Sequence, residues 1–433
     1  MLSYHDAIPV WLKNAYTESN IALVLRTLAE RESRREYIRL LSHNRARASS
    51  GFSSGSEASH LCPPPTFIPN SHLEHYSVAT ANQAQNVPRN RYADIAPYDR
   101  TRVVVGSGDA AGRYLNANWV LERHGHKWWI ATQAPLPMTI HTFLSLIMQP
   151  ISTPKVLSTM SNTKLKDDAA PRVTSQIRTV VQLTKDVEGG RTKAHPYFPT
   201  EVGKSIIVPP DAGLSVQALK VTLLHTQDHE DAQCSQSIVA ISPVSFTSAV
   251  QTTPLKNVDE SKDFHGPEED DNNRVIFQHF MYNAWPDHGV PEDDDCRSLL
   301  AFLKLVDRLN RDSNFDNHSP TISSPHVPQH HNDPDPPILV GCSAGVGRTG
   351  SFIALSSLLR HSGFLPPAAT PIPASVIPSS PLGILPEGLA GDLVLEEIDF
   401  LREQRPRMVE RSEQTLFIYE FLIRALLGTC WAF

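Results

Sequence analysis

The chain has 433 residues, 40% of them hydrophobic and 20% charged, which is enough for one large globular domain or two ordinary ones. Forty-six acidic residues against 39 basic ones leave a formal charge of −7, which disfavours general binding to nucleic acid or to an acidic membrane surface but permits a local basic site. Cys62, Cys234, Cys296, Cys342 and Cys430 are scattered, with neither metal-ligand spacing nor a disulfide framework. No signal peptide is read in "MLSYHDAIPVWLKNAY" and no apolar run is long enough to span a bilayer, so the expectation is a soluble cytoplasmic or nuclear protein in a reducing compartment.

In chain order, "IALVLRTLAERESRREYIRLL" carries apolar residues at helical spacing and predicts one or two helices within an N-terminal segment, residues 1–45. Residues 46–84 begin with a Ser/Gly/Pro-rich stretch and read as a linker. From about residue 85 the pattern becomes α/β. "TRVVV", "YLNANWVL" and "HKWWIATQ" predict strands, with "HGH" as a turn, and "MTIHTFLSLIM" predicts a helix. "QIRTVVQLT", "KSIIV", "ALKVTLLHT", "SIVAIS" and "RVIFQHFMY" continue the strands. "DCRSLLAFLKLVDRL" is an amphipathic helix with acidic residues at its N-terminus, where the dipole favours them. "PILV" reads as a short buried strand, followed by helices in "TGSFIALSSLLRH", "EEIDFLREQ" and "EQTLFIYEFLIRALL". Residues 152–176, 312–336 and 365–391 are polar or Pro-rich without periodicity and read as insertions into one domain spanning 85–428.

The chemistry concentrates in "VGCSAGVGRTG", residues 340–350. "PPILV" ends a strand and "RTGSFIALSSLLR" opens a helix, so Cys342 and the small residues Ser343, Ala344, Gly345, Val346 and Gly347 lie in a tight connection whose backbone amides, with the helix N-terminus, suit a tetrahedral oxyanion. Arg348 adds a two-pronged donor, the same field favours the Cys342 thiolate, and Thr349 is placed to donate its hydroxyl to that sulfur. A phosphate cradle with a nucleophile at its base results. Attack on phosphorus also needs an acid for the leaving group, and "WPDHGVP" at 285–291 offers Asp287 on a Pro/Gly-bounded loop anchored by Trp285.

These two segments, with "NRYADIAPYDRTRV" at 90–103, "YLNANWV", "WWIATQAPLPMTIHTF", "VVQLTKDVEGGRTKAHPYFP" and "REQRPRMVERSEQTLFIYEFL", resemble in order the motifs of tyrosine-specific protein phosphatases. The resemblance implies a twisted mixed sheet flanked by helices and hydrolysis of phosphotyrosine in proteins through a phosphocysteine on Cys342. It implies Asp287 as general acid and then base, Tyr92 along the substrate ring, Asp94 on the substrate backbone, Glu188 orienting Arg348, Lys193 meeting the acid loop and Gln414 positioning water. Phosphotyrosine proteins would be the partners, and neither a metal nor an organic cofactor is required.

Four positions depart from the family pattern. Gly341 replaces a histidine that helps hold the cysteine backbone, and Glu410 replaces a water-positioning glutamine, putting a carboxylate near a bound dianion. Ala134 and Ala194 replace a glycine and a cysteine and read as packing changes. Two alternatives stay open: an impaired phosphotyrosine-binding module, supported by Gly341 and Glu410, and a dual-specificity or phosphoinositide phosphatase, against which stands the absence of lysine from residues 343–347. His124 and His126 read as a turn and His330 and His331 as part of an insertion, not as metal ligands. The Pro-rich patches at 62–69 and 366–386 read as flexible loops that could also offer polyproline ligands to partner domains.

Overall fold

In the computed structural model, which describes residues 7–49, 68–106, 112–154, 174–244, 273–286, 289–292, 295–312, 333–373 and 377–430, the predicted α/β pattern becomes a mixed sheet with helices on both faces. The helices are α1 (Val10–Ala15), α2 (Glu18–Ser49), α3 (Asn70–His75), α4 (Ile140–Met148), α5 (Asp295–Asn310), α6 (Gly347–His361), α7 (Leu393–Gln404) and α8 (Ser412–Leu427). The strands are β1 (Arg102–Val105), β2 (Arg113–Leu121), β3 (Trp128–Gln133), β4 (Ile151–Ser152), β5 (Thr174–Ser175), β6 (Thr179–Gln182), β7 (Val187–Glu188), β8 (Arg191–Thr192), β9 (Ser205–Val208), β10 (Ala218–His229), β11 (Cys234–Val244), β12 (Val275–Tyr282) and β13 (Ile338–Cys342). Among the described residues the main sheet runs β1-β2-β3-β13-β6-β12-β11-β10-β9, and β4-β5 and β7-β8 form two small ribbons.

The centre of the sheet positions the site. β13 pairs in parallel with β3 and β6, and β6 in parallel with β12, whereas the outer pairs are antiparallel. Parallel strands need both faces covered, which is why "PILV" is apolar at successive positions instead of alternating. Ile338 and Val340 face a core shared with α5, α6, α7 and α8, while Leu339 faces the core built on α4. Nearly every residue of α6 is buried, so this helix is enclosed by the sheet and its neighbours. Cys342 therefore lies at the carboxyl end of a central parallel strand, where open α/β sheets form their crevices.

α2 is one continuous helix, and it joins this core: Val24 and Leu28 pack with the residues of α6 to α8. Arg35 is fully buried and bonds Asp399 at 2.5 Å and Glu403 at 2.7 Å, while Arg31 reaches Asp399 at 2.8 Å. A buried guanidinium is tolerable because two carboxylates share it. The described part of the Pro-rich stretch 365–391 is held down as well. Leu365 and Leu389 are buried, Ser380 bonds Glu403, and the Pro366 and Pro367 carbonyls accept from Arg360 and Arg311. The expectation of a loose proline loop fails there because the groups that hold it, such as Arg311 and Glu403, carry no signal in the proline-rich text itself.

The reading of unpaired cysteines is corrected too. Cys296, in the first turn of α5, and Cys430, just beyond α8, form a disulfide with Cα atoms 5.8 Å apart. They are 134 residues apart, and only the packing of α5 beside α8 brings them together. The "HGH" stretch is a turn, as expected, with the His124 and His361 rings 5.6 Å apart. Among the described residues no group of three such side chains could hold a metal ion.

His279 on β12 is buried against Tyr197 and Phe198 and donates from Nε2 to Gln182 Oε1 at 3.2 Å. Burial pushes its pKa down to about 3. A histidine lowered in the folded state from its usual ~6.5 contributes stability that is present above that value and lost as pH falls toward 3. The stability gap between the wild type and His279→Gln should therefore narrow by about 2 kcal/mol between pH 7.5 and pH 5, measured by urea unfolding. An unchanged gap would mean that the ring is protonated in the fold.

Candidate active site

Residues 342–348 connect β13 to α6 at the carboxyl edge of the sheet, where such sheets form a crevice, and the hydrogen bonds of their carbonyls explain the loop's shape. Ala134 N–H donates to the Cys342 and Ser343 carbonyls at 3.0 and 3.1 Å. Arg405 donates to the Ala344 carbonyl at 3.1 Å and the Gly345 carbonyl at 2.8 Å. The Val346 carbonyl accepts from Gly350 N–H at 2.9 Å and Val409 N–H at 3.1 Å. In a trans peptide each N–H points opposite to the preceding carbonyl. Five successive carbonyls held on the outside therefore turn the N–H groups of residues 343–347 toward the other side, where an oxyanion would sit beside Cys342. Gly345 is required at the tightest point: its φ is +72°, and a Cβ there would stand 2.1 Å from the Thr132 carbonyl oxygen.

Arg348 is fixed in a fork. Its Nη1 and Nη2 reach Glu188 Oε1 and Oε2 at 2.7 and 2.9 Å, and it donates further to the Leu183 and Pro286 carbonyls at 3.0 and 2.8 Å. Glu188 is itself buried and accepts from Thr184 Oγ1 and Lys185 N–H. The expected pairing of Glu188 with Arg348 is thus present and bidentate. The Pro286 contact ties the start of the "WPDHGVP" loop to the same arginine, and Trp285 is buried between Tyr282 and Phe417. Asp287 lies outside the described residues.

The wall above the crevice is Tyr92, whose hydroxyl bonds Ser343 Oγ at 2.8 Å, and Ser343 Oγ also donates to the Lys193 carbonyl at 2.9 Å. Gln414, on the first turn of α8, lies against the loop, with Nε2 2.8 Å from where a Cβ on Gly347 would stand. The structure places Thr349 and Glu410 differently from the reading of the sequence, and it pairs Asp94, whose expected role needs a bound substrate, with a cation. Thr349 Oγ1 is buried without a hydrogen-bond partner among the described residues, so the expected bond to the Cys342 sulfur is not made. Asp94 is exposed and paired with Arg407. Glu410 points to solvent, 4.0 Å from the same Arg407, so its carboxylate is turned outward and neighbours a cation.

Sequence reasoning missed Arg405. It is fully buried and holds Asn118 Oδ1 at 2.8 Å and Asn116 Oδ1 at 2.9 Å besides the two loop carbonyls. Its hydrogen-bond partners are all neutral. Burial lowers its pKa to about 10, opposed by the charges of Tyr114 and Cys342. It is a positive charge directly under the cradle. Nothing in "REQRPRM" separates it from Arg402, which instead supports the Met408 and Val409 carbonyls, or from Arg407 at the surface.

The structure also explains Gly341. β13 pairs it with Thr132 of β3, and a Cβ at 341 would lie 2.8 Å from the Thr132 carbonyl oxygen. Introducing the histidine of the family pattern therefore forces the two strands apart. Gly341→His should lower stability by about 1–3 kcal/mol without raising kcat/KM. A variant that melts with the parent and turns over faster would show that the strands adapt freely.

The family model for protein-tyrosine phosphatase matches residues 86–167 and 173–363, more than half of the chain. Receptor-type tyrosine-protein phosphatase eta of Mus musculus is 28% identical over 281 residues, 65% of this chain and 16% of that protein. Receptor-type tyrosine-protein phosphatase H of Homo sapiens is 28% identical over 352 residues, covering 81% of this chain and 22% of the relative. Receptor-type tyrosine-protein phosphatase F of Homo sapiens is 26% identical over 359 residues, 82% and 13% respectively. The chain thus spans less than a quarter of the length of these relatives. With the family model covering the sheet, the Arg348–Glu188 fork and the Cys342 loop, the chain belongs to the protein-tyrosine phosphatase family.

Proposed function

We propose that the chain hydrolyses phosphotyrosine in proteins through a phosphocysteine. The observation that carries this reading is the set of outward-held carbonyls at residues 342–346, which aims the intervening amides at one point beside Cys342 while Arg348 is locked by Glu188. Cys342 Sγ attacks phosphorus, the S–P bond forms, the P–O bond to the tyrosine ring breaks, and Asp287 gives its proton to the leaving phenolate. Water then attacks phosphorus, the S–P bond breaks, and Asp287 takes the water proton as the thiolate returns. The amides and Arg348 bind the equatorial oxygens most strongly while charge spreads over them in the transition state. Tyr92 lines the mouth and favours a long aryl phosphate over a short alkyl one.

Purified chain mixed with a 32P-labelled phosphotyrosine peptide, without metal and under reducing conditions, should release phosphate. Acid quenching within the first turnover should leave label on Cys342, and Asp287→Ala should slow release. Tight peptide binding with neither label nor release would leave a binding module instead. Equal rates on phosphoserine peptides would remove the tyrosine preference.

A further inference from the structure

The mouth of the crevice holds three charges that the catalytic reading leaves unexplained. Arg407 pairs with Asp94 and stands 4.0 Å from Glu410, and the Arg407, Asp94 and Glu410 side chains are 32%, 63% and 37% exposed. The backbone carrying Arg407 is firmly seated. Val409 N–H bonds the Val346 carbonyl of the phosphate loop at 3.1 Å, and Arg402 grips the Met408 and Val409 carbonyls at 2.8 and 2.6 Å. Arg407 and Val409 adopt φ of 60° and 54°, left-handed conformations that residues with side chains rarely take. The segment is thus bent so that a long cationic side chain projects from a fixed base between two carboxylates on separate elements, one on the segment of Tyr92 and one on its own.

We propose that Arg407 is a specificity-determining residue that occludes Asp94 and releases it by moving to Glu410. This rests on the reading above in which Asp94 accepts the backbone N–H groups of a bound phosphopeptide. The guanidinium sits on Asp94 Oδ2, so a peptide backbone that engages both carboxylate oxygens must displace it. Glu410 receives the displaced cation, so the exchange swaps one surface ion pair for another and leaves no charge stranded. A small aryl phosphate fills the crevice without reaching Asp94 and never meets this gate. Glu410, out of place as a water-positioning group, thereby gains a role that requires it to face outward.

The readout is the ratio of kcat/KM for a phosphotyrosine peptide to that for a small aryl phosphate, which cancels changes common to both. Exposed ion pairs of this kind contribute up to about 1 kcal/mol, so Arg407→Ala should raise the ratio about two- to fivefold. Arg407→Gly, which also relieves the left-handed φ, should act the same way and guards against a folding effect. Glu410→Gln should lower the ratio by a similar factor in the wild type and leave it unchanged in the Arg407→Ala background. A fall in the ratio with Arg407→Ala, or a Glu410 effect that persists without Arg407, would overturn the gate. Absence of turnover on either substrate would instead refute the phosphatase reading itself, and the same variants would then be compared by peptide binding to Cys342→Ser.

Discussion

Cys342→Ser should abolish turnover of phosphotyrosine peptides, by at least about 10⁴-fold, while peptide binding stays within a few-fold of the wild type. The Cys342 sulfur lies at the end of β13, beside the amides of residues 343–347. A serine hydroxyl is a far weaker nucleophile there, because among the described residues no hydrogen bond to residue 342 offers a base in the way histidine serves hydrolytic serines. The cradle is untouched by a change of sulfur to oxygen, so the phosphate still binds. The test compares steady-state release with calorimetric peptide affinity in the same preparation. Residual turnover within tenfold of the wild type would mean that phosphorus is attacked by water directly, and the two-step scheme would fall.

Arg405→Met should be the most damaging change outside the crevice. The side chain donates to the Ala344 and Gly345 carbonyls and to Asn116 and Asn118, and an apolar replacement leaves these buried oxygens short of donors. We expect a stability loss of about 3–5 kcal/mol, moderated because a buried guanidinium bonded only to neutral groups is itself costly. The freed carbonyls also let two peptide planes rotate, so the amides of Gly345 and Val346 lose their aim. A kcat lower by about 10²–10³ in protein that is still folded, checked by circular dichroism at reduced temperature, would separate this from simple unfolding. Arg405→Lys keeps a charge but not the fork, and should recover stability more than rate. If Arg405→Met kept full kcat, the loop would be holding its shape without the arginine.

How much of this was legible in the sequence depended on how local the signal was. The run from Pro337 to His361 could be read directly, because a short apolar strand, a small-residue turn and a helix declare themselves by spacing, and the structure places β13 and α6 there. Glu188 and Gln414 carried no local signal. They emerged only through resemblance, and the fork on Arg348 and the contact with Gly347 follow from how β7 and α8 pack around the loop. Arg402, Arg405 and Arg407 look alike in the text, yet one supports a neighbouring turn, one lies under the cradle and one faces solvent, a difference set by strands and loops hundreds of residues away. The Cys296–Cys430 link was hidden for the same reason.

The Arg35–Glu403 pair joins residues 368 positions apart, and it imposes an order in time. During synthesis Arg35 of α2 is made 368 residues ahead of Glu403, so the carboxylates and the apolar surface that α2 settles against follow long after it. At roughly 5–20 residues per second, the ribosome leaves the apolar side chains Val24 and Leu28 uncovered for about 20–70 s. Docking of α2 is then a late event with a large loop-closure cost, and the nascent chain depends on whatever shields that helix in the interval.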